Sequence, residues 1–354
     1  MLKLGTDCSG IGAPEEALKN MGATFRSVFA CEIDKFARQT FLANHSPETM
    51  YNDIRTRSNK GIEQLDLYVC GFPCQPFSQA GDREGFKHVE GTVFFNCADF
   101  IRENQPKAFV LENVRGLLSH DKGRTFKTII NLLAKTVNGQ EIMPLYVDNL
   151  GYHIYYKVLN TVDYGIPQQR QRIFIVGLRE RADYRFPSKQ KLDLKLSDLL
   201  EQNPDEKYFM SQKAYDFITK PFRIKKGYTQ INGDIALTIT AKANSNWTGD
   251  FIVGYTRSTK TGEITSRHPL TEANTIHAST GGGGNTDQFV LCNNGTRIRK
   301  LTPLECFRLQ GFPDWFDKTK CSDSQLYKQA GNSMSIPPIQ EIIRNIKPIF
   351  HDLH

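Results

Sequence analysis

Over the first 180 residues, short apolar runs alternate with stretches of helical periodicity, and few folds accommodate that rhythm. Residues 2–6, 28–31, 65–70, 109–111, 152–159 and 172–177 read as buried strands, because they are short, rich in apolar residues and bounded by turn formers. Asn52, Asp53 and Ile54 close a further short extended piece. Between the strands lie helical segments. One spans residues 14–21 and opens on Pro14, and a second carries Phe36, Ala37 and Phe41 after Asp34 as N-cap. Two more fall at residues 93–102 and 126–133. Strands alternating with helices imply an α/β fold built on a parallel sheet.

From residue 181 to 297 the rhythm fails. The segment is polar, rich in Gly, Asn and Thr, and suggests one weak helix at residues 192–200. It also holds an internal echo: ALTITAKANSNWTGDFIV (236–253) resembles ANTIHASTGGGGNTDQFV (273–290), each reading as strand, loop and strand. The α/β pattern resumes at Leu301, with a helix opened by Pro303 and ended by Gly311. In the last segment Ile339, Ile342, Ile343 and Ile346 form one apolar helical face. The predicted organisation is one domain of residues 1–180 and 298–354, interrupted by a second of residues 181–297.

Composition narrows the function. With 39% hydrophobic and 23% charged residues the chain is globular. No run reaches the roughly 18 apolar residues of a membrane span, and the start lacks a signal-peptide core, so a cytoplasmic setting is expected. There the eight cysteines stay reduced, and no second pair at zinc-site spacing accompanies Cys70 and Cys74, so no metal is expected. Net charge is +7, and residues 181–300 hold 18 Lys and Arg against 12 Asp and Glu. That skew fits a polyanion partner, or simply a solvated basic surface.

The chemistry concentrates at strand ends. GFPCQPFS (71–78) follows a strand, so Cys74 lies just past a C-terminal strand end, where open α/β sheets place their ligands. A thiol on such a loop is a candidate nucleophile. Asp7, Glu32 and Asp53 follow the first three extended segments, and Gly10 and Gly12 form a turn. Glu32, 20 residues after Gly12, stands where an acid binds the ribose of an adenosine-type cofactor. Glu112 ends the strand after Cys74 and is suited to proton exchange with a ring. Arg170 and Arg172 in PQQRQR could hold Glu112, a phosphate, or a rim ion pair.

TDCSGIG, CEID, NDI, GFPCQPFS, ENV, QQRQR, RKLTPLECFRLQGFPDWF and GNSM occur in that order, and over nearly its whole length the chain resembles the bacterial and phage DNA (cytosine-5)-methyltransferases. The resemblance implies a Rossmann-like sheet for S-adenosylmethionine, with a smaller, irregular β-rich target-recognition domain inserted. It implies that Cys74 adds to carbon 6 of a flipped-out cytosine in double-stranded DNA, with Glu112 bonding the ring edge. Arg170 and Arg172 would steady Glu112 and the base, while Phe72 and Pro73 line the base pocket. A loop from Gln75 through Ser78 to residue 91 would close on the DNA. Glu32 would hold the cofactor ribose, and Asp53 with Ile54 its adenine. Asp7, Gly10, Gly12, Asn332 and Ser333 would surround the rest. In place of the family's usual Phe stands Cys8, with Ile33 and Ile54 to compensate, and Glu90 stands where Arg is usual. Arg257, Arg267, Asn285 and Gln288 are candidates for base or phosphate contacts. The family leans to monomers, and a cognate restriction endonuclease is an open question. Alternatives are a tRNA methyltransferase of the same family, a DNA-binding member without catalysis, and, from the glycine turn alone, a nicotinamide-dependent dehydrogenase.

Overall fold

The computed structural model describes residues 1–74, 93–143, 149–226, 228–239, 249–254 and 297–351. The chain begins β1 (Leu2–Asp7), α1 (Ala13–Asn20), β2 (Phe25–Cys31), α2 (Lys35–Asn44), β3 (Thr49–Tyr51) and β4 (Leu67–Cys70). It continues through α3 (Val93–Asn104), β5 (Ala108–Val114), α4 (Arg124–Leu133), β6 (Ala134–Val137), β7 (Gln140–Glu141), β8 (Tyr152–Asn160) and β9 (Gln171–Leu178). These nine strands form one sheet in the order β3-β2-β1-β4-β5-β9-β8-β6-β7. Strands β1 to β5 run parallel, as the sequence rhythm implies. The sheet as a whole is mixed, which corrects the expectation of a parallel one: β9 lies antiparallel to both β5 and β8. The link from β8 to β9 holds only a single 3-10 turn, too short for a parallel crossover, which takes a dozen or more residues.

Local chemistry explains several boundaries. Asp34 caps α2, its carboxylate accepting from the N–H groups of Phe36 (2.8 Å) and Ala37 (3.2 Å). Helix α7 (Pro303–Arg308) starts with a reciprocal capping box between Thr302 and Glu305. Helix α8 (Asp323–Asn332) and α9 (Ile336–His351) follow. Ile339, Ile342, Ile343 and Ile346 of α9 are all fully buried, in the core on the sheet face that α1 and α9 cover. Phe29, Tyr68, Phe109, Leu111 and Ile175 fill the other face with α3 and α4.

Residues 181–300 contribute a separate three-stranded sheet, β10 (Thr229–Ile231), β11 (Gly249–Gly254) and β12 (Arg297–Lys300), and two short helices, α5 (Gln212–Ile218) and α6 (Pro221–Lys225). The weak helix expected at 192–200 is a single 3-10 turn, Leu196–Leu199. Of the internal echo, residues 236–239 and 249–253 are described, and the second copy lies outside the described residues. Buried Arg299 on β12 pairs with Glu305 on α7 (2.7 Å), tying the small sheet to that helix.

Between β1 and β4 the strand order reverses, since the chain first steps outward through β2 and β3 and then returns. Asp7 ends β1 at this switch point but faces inward. Arg57 donates to both of its oxygens (2.6 and 3.2 Å), and the Tyr68 hydroxyl donates to one (2.7 Å). The guanidinium lies 4.5 Å from the Phe100 ring and 4.8 Å from Phe29. Burial pushes the Asp7 carboxyl pKa up, and Arg57 and Tyr68 oppose that shift. Arg57→Met would leave this carboxylate buried without its partner. Chemical denaturation should show a loss of about 3–5 kcal/mol; a loss below about 1 kcal/mol would mean the pair does not hold the switch point together.

Candidate active site

The five parallel strands β1 to β5 end on one edge of the sheet, and the turn after β1 shapes the first half of the site. Gly10 and Gly12 take positive φ (+56° and +89°), as does Cys8 (+50°). A Cβ on Gly12 would come within 2.4 Å of the His45 ring, so only glycine fits there. At Gly10 a Cβ would meet nothing within 4 Å, so the backbone borders open space. The Gly10 N–H donates to Glu32 Oε2 (2.8 Å), and the Asp34 N–H to Oε1 (2.9 Å). Glu32 is thereby fixed at the end of β2, half-exposed, each oxygen keeping a lone pair for a ligand. Beside it Ile33 is 64% exposed, and Ile54 is buried.

Not every predicted cofactor residue joins this group. Asp7 is occupied by Arg57 and Tyr68, because strand alternation turns it to the sheet face opposite Thr6. Asp53 is chelated by Arg55 (2.6 Å), whose hydrogen bonds hold its pKa below the usual carboxylate range. Cys8 is half-buried. From α8, Asn332 is exposed and Ser333 is buried, its hydroxyl donating to the Met334 carbonyl (3.0 Å).

The second half of the site lies across β4 and β5. Cys74 is exposed four residues beyond the end of β4. Partial desolvation pushes its thiol pKa up. Phe72 is buried against the Phe94 ring (5.4 Å), and the Asn113 side chain donates to the Phe72 carbonyl (2.9 Å), pinning the turn that carries Cys74; Pro73 is exposed. Cys70 pairs in register with Leu111, so Glu112 sits beside Gly71. Its Oε2 lies 3.6 Å from where a Gly71 Cβ would stand. Burial raises the Glu112 pKa, against the opposing charges of Arg172 and Arg170. Arg172 lies opposite Val114 on β9 and reaches Glu112 diagonally, Nε to Oε1 at 3.2 Å.

Arg170 behaves differently from Arg172. It makes no ion pair with Glu112 and is 2% exposed. It donates to the carbonyls of Ile239 (2.9 Å), Gly331 (3.0 Å) and Ser333 (2.6 Å). Burial, with the Arg172 charge beside it, pulls its pKa down to about 9. Sequence reasoning missed Arg57, Asn113, Gln168 and Met334. Asn113, Gln168 and Met334 carried a signal, as members of ENV, QQRQR and GNSM, and Arg57 carried none. Gln75, Ser78, Glu90, the closing loop 75–91, Arg257, Arg267, Asn285 and Gln288 lie outside the described residues. Among the described residues no group of three or more His, Cys, Asp or Glu could hold a metal, and no helix is long and apolar enough to cross a membrane.

The profile of the C-5 cytosine-specific DNA methylase family matches residues 7–348. The type II methyltransferase M.NlaX of Neisseria lactamica is 36% identical over 348 residues, covering 98% of this chain and 96% of that protein. The orphan methyltransferase M.SPRI of Bacillus phage SPR is 32% identical, covering 96% of this chain and 95% of its own. Among solved structures, S. pombe Dnmt2 methyltransferase superposes with a TM-score of 0.70 at 18% identity, covering 99% of both chains, which is a likeness of fold. With the thiol and the carboxyl on adjoining strand ends of this sheet, the chain belongs to the C-5 cytosine-specific DNA methylase family.

Proposed function

We propose that the chain methylates carbon 5 of a cytosine flipped out of double-stranded DNA, with Cys74 as nucleophile and Glu112 as the acid that assists it. The observation carrying this reading is the buried Glu112 carboxyl, held by Arg172 beside Gly71 at the base of the Cys74 turn. Carbon 6 is unreachable inside the stack, so the nucleotide must be extruded at a cost of a few kcal/mol. The Cys74 thiolate then bonds to carbon 6, while Glu112, whose pKa burial raises, hydrogen-bonds ring nitrogen 3. Electron density gained at carbon 5 lets it take a methyl group. Loss of the carbon 5 proton and breaking of the sulfur–carbon bond then free the thiolate and leave 5-methylcytosine.

The residues present fit S-adenosylmethionine. The open space at Gly10, the anchored Glu32 carboxylate and the exposed Ile33 side chain suit a small turn-bound ligand with ribose hydroxyls and a flat base. When bound, that cofactor supplies an electrophilic methyl on a sulfonium. Glu32 would accept the ribose hydroxyls, Ile33 and Ile54 would border the adenine, and Asn332 would border the methionine part. Residues 181–297 would read the site, with base-edge contacts setting sequence and phosphate contacts setting salt-sensitive affinity.

Bisulfite sequencing of plasmid from expressing cells tests this. We expect protected cytosines in one recurrent sequence context, and resistance of that plasmid to endonucleases whose sites contain it. Unmodified plasmid together with methyl transfer to tRNA in vitro would overturn the choice of substrate.

A further inference from the structure

We infer that Arg170 is a positioning residue that couples target recognition to the chemistry at Cys74 and Glu112, an inference that rests on the function proposed above. Residues 167–170 are where three distant parts of the chain meet. The Ala236 N–H donates to the Pro167 carbonyl (2.7 Å), and the Gln169 N–H to the Ala236 carbonyl (2.8 Å). The Thr238 hydroxyl donates to the Gln169 carbonyl. Fully buried Gln168 donates to the Leu309 carbonyl (3.2 Å). Arg170 completes the junction, one arm of its guanidinium on Ile239 and the other on Gly331 and Ser333.

Its electrostatics distinguish it from a filler. Among the described residues no carboxylate lies within ion-pair distance of this buried cation, and its Nε has no partner. A buried guanidinium held only by carbonyl dipoles depends closely on where those carbonyls stand. Ile239 is the last described residue before segment 240–248 of the proposed site reader. Two short routes lead from Arg170 to the reaction. Ser333 precedes Met334, whose methyl lies 2.9 Å from where a Gly71 Cβ would stand, at the start of the Cys74 turn. Arg172, two residues along β9, holds Glu112. A displacement of Ile239 on DNA binding therefore reaches both reacting groups through packed, hydrogen-bonded atoms.

The test uses the full chain as wild type, Arg170→Lys and Thr238→Val, with mixed-sequence plasmid DNA and tritiated S-adenosylmethionine. Lysine keeps the charge but cannot fork to three carbonyls. Valine keeps the shape of Thr238 and removes one bond of the junction, so it covers the case in which Arg170→Lys folds poorly. We expect Arg170→Lys to lower kcat about 30-fold or more, and Thr238→Val to lower it about threefold. The Kd for plasmid and the calorimetric Kd for S-adenosylhomocysteine should stay within about threefold of wild type. Covalent trapping on duplexes containing 5-fluorocytosine should slow in proportion to kcat. Unchanged kcat in both variants, or losses that follow melting temperature and ligand binding instead, would overturn the inference. A wild type that never traps such duplexes overturns the proposed function and this inference with it; equal trapping by wild type and both variants overturns the inference alone.

Discussion

Cys74→Ala is expected to abolish covalent capture of DNA containing 5-fluorocytosine and to lower methyl transfer by about four orders of magnitude or more. No other described thiol is placed to substitute: Cys31, Cys70, Cys97 and Cys306 are buried, and Cys8 and Cys321 are half-buried. Because Cys74 is exposed on a turn, alanine should leave the melting temperature nearly unchanged, and plasmid binding should survive. Retention of methyl transfer above one-hundredth of the wild-type rate, measured by tritium incorporation, would sink the covalent mechanism. Partial burial raises the thiol pKa, which disfavours the thiolate in the free chain.

The site was legible in sequence to the extent that its residues sit at strand ends. Strands β4 and β5 announced themselves as buried runs, and that placed Cys74 and Glu112 on neighbouring C-terminal edges. The partners that hold them were not visible, because each depends on tertiary register. Arg57 lies 50 residues from Asp7, and nothing local marks the two as a pair. Strand alternation alone could have shown that Asp7 and Thr6 face opposite sides, but not which side the cofactor takes. Arg170 and Arg172 look equivalent in PQQRQR. Only the pairing of Val114 with Arg172 shows that one reaches Glu112 while the other is turned into the junction.

The fold shows the same division. Strand β6 follows α4 with no glycine or proline between them, since Ala134 alone turns the chain from helix to extended backbone. Helix α8 is polar on most of its surface, so its periodicity is faint and it read only as the motif GNSM. The antiparallel return of β9 leaves no mark in the apolar pattern, although the short link from β8 was a usable sign.

Glu112→Gln separates the roles of the carboxyl. Glutamine keeps the shape and can still meet the ring edge, but it cannot deliver a proton, so the rate should fall by about 10²–10⁴-fold. The pH dependence carries the sharper test. The proposed mechanism needs Glu112 protonated and Cys74 ionised, and burial raises both pKa values, the carboxyl's from a much lower ordinary value than the thiol's. Below the Glu112 pKa the wild-type kcat/KM rises with pH, because the thiolate fraction grows while the acid stays protonated. Between the two pKa values the loss of acid offsets the gain of thiolate, so the profile is flat; above the thiol pKa it falls. In the glutamine variant the acid limb is gone, so kcat/KM should climb through the flat region up to the thiol pKa. The deficit relative to wild type should therefore shrink tenfold for each pH unit across the plateau. A constant deficit at every pH would mean that Glu112 acts in the rate-limiting step through shape and hydrogen-bond acceptance, with no proton of its own to give.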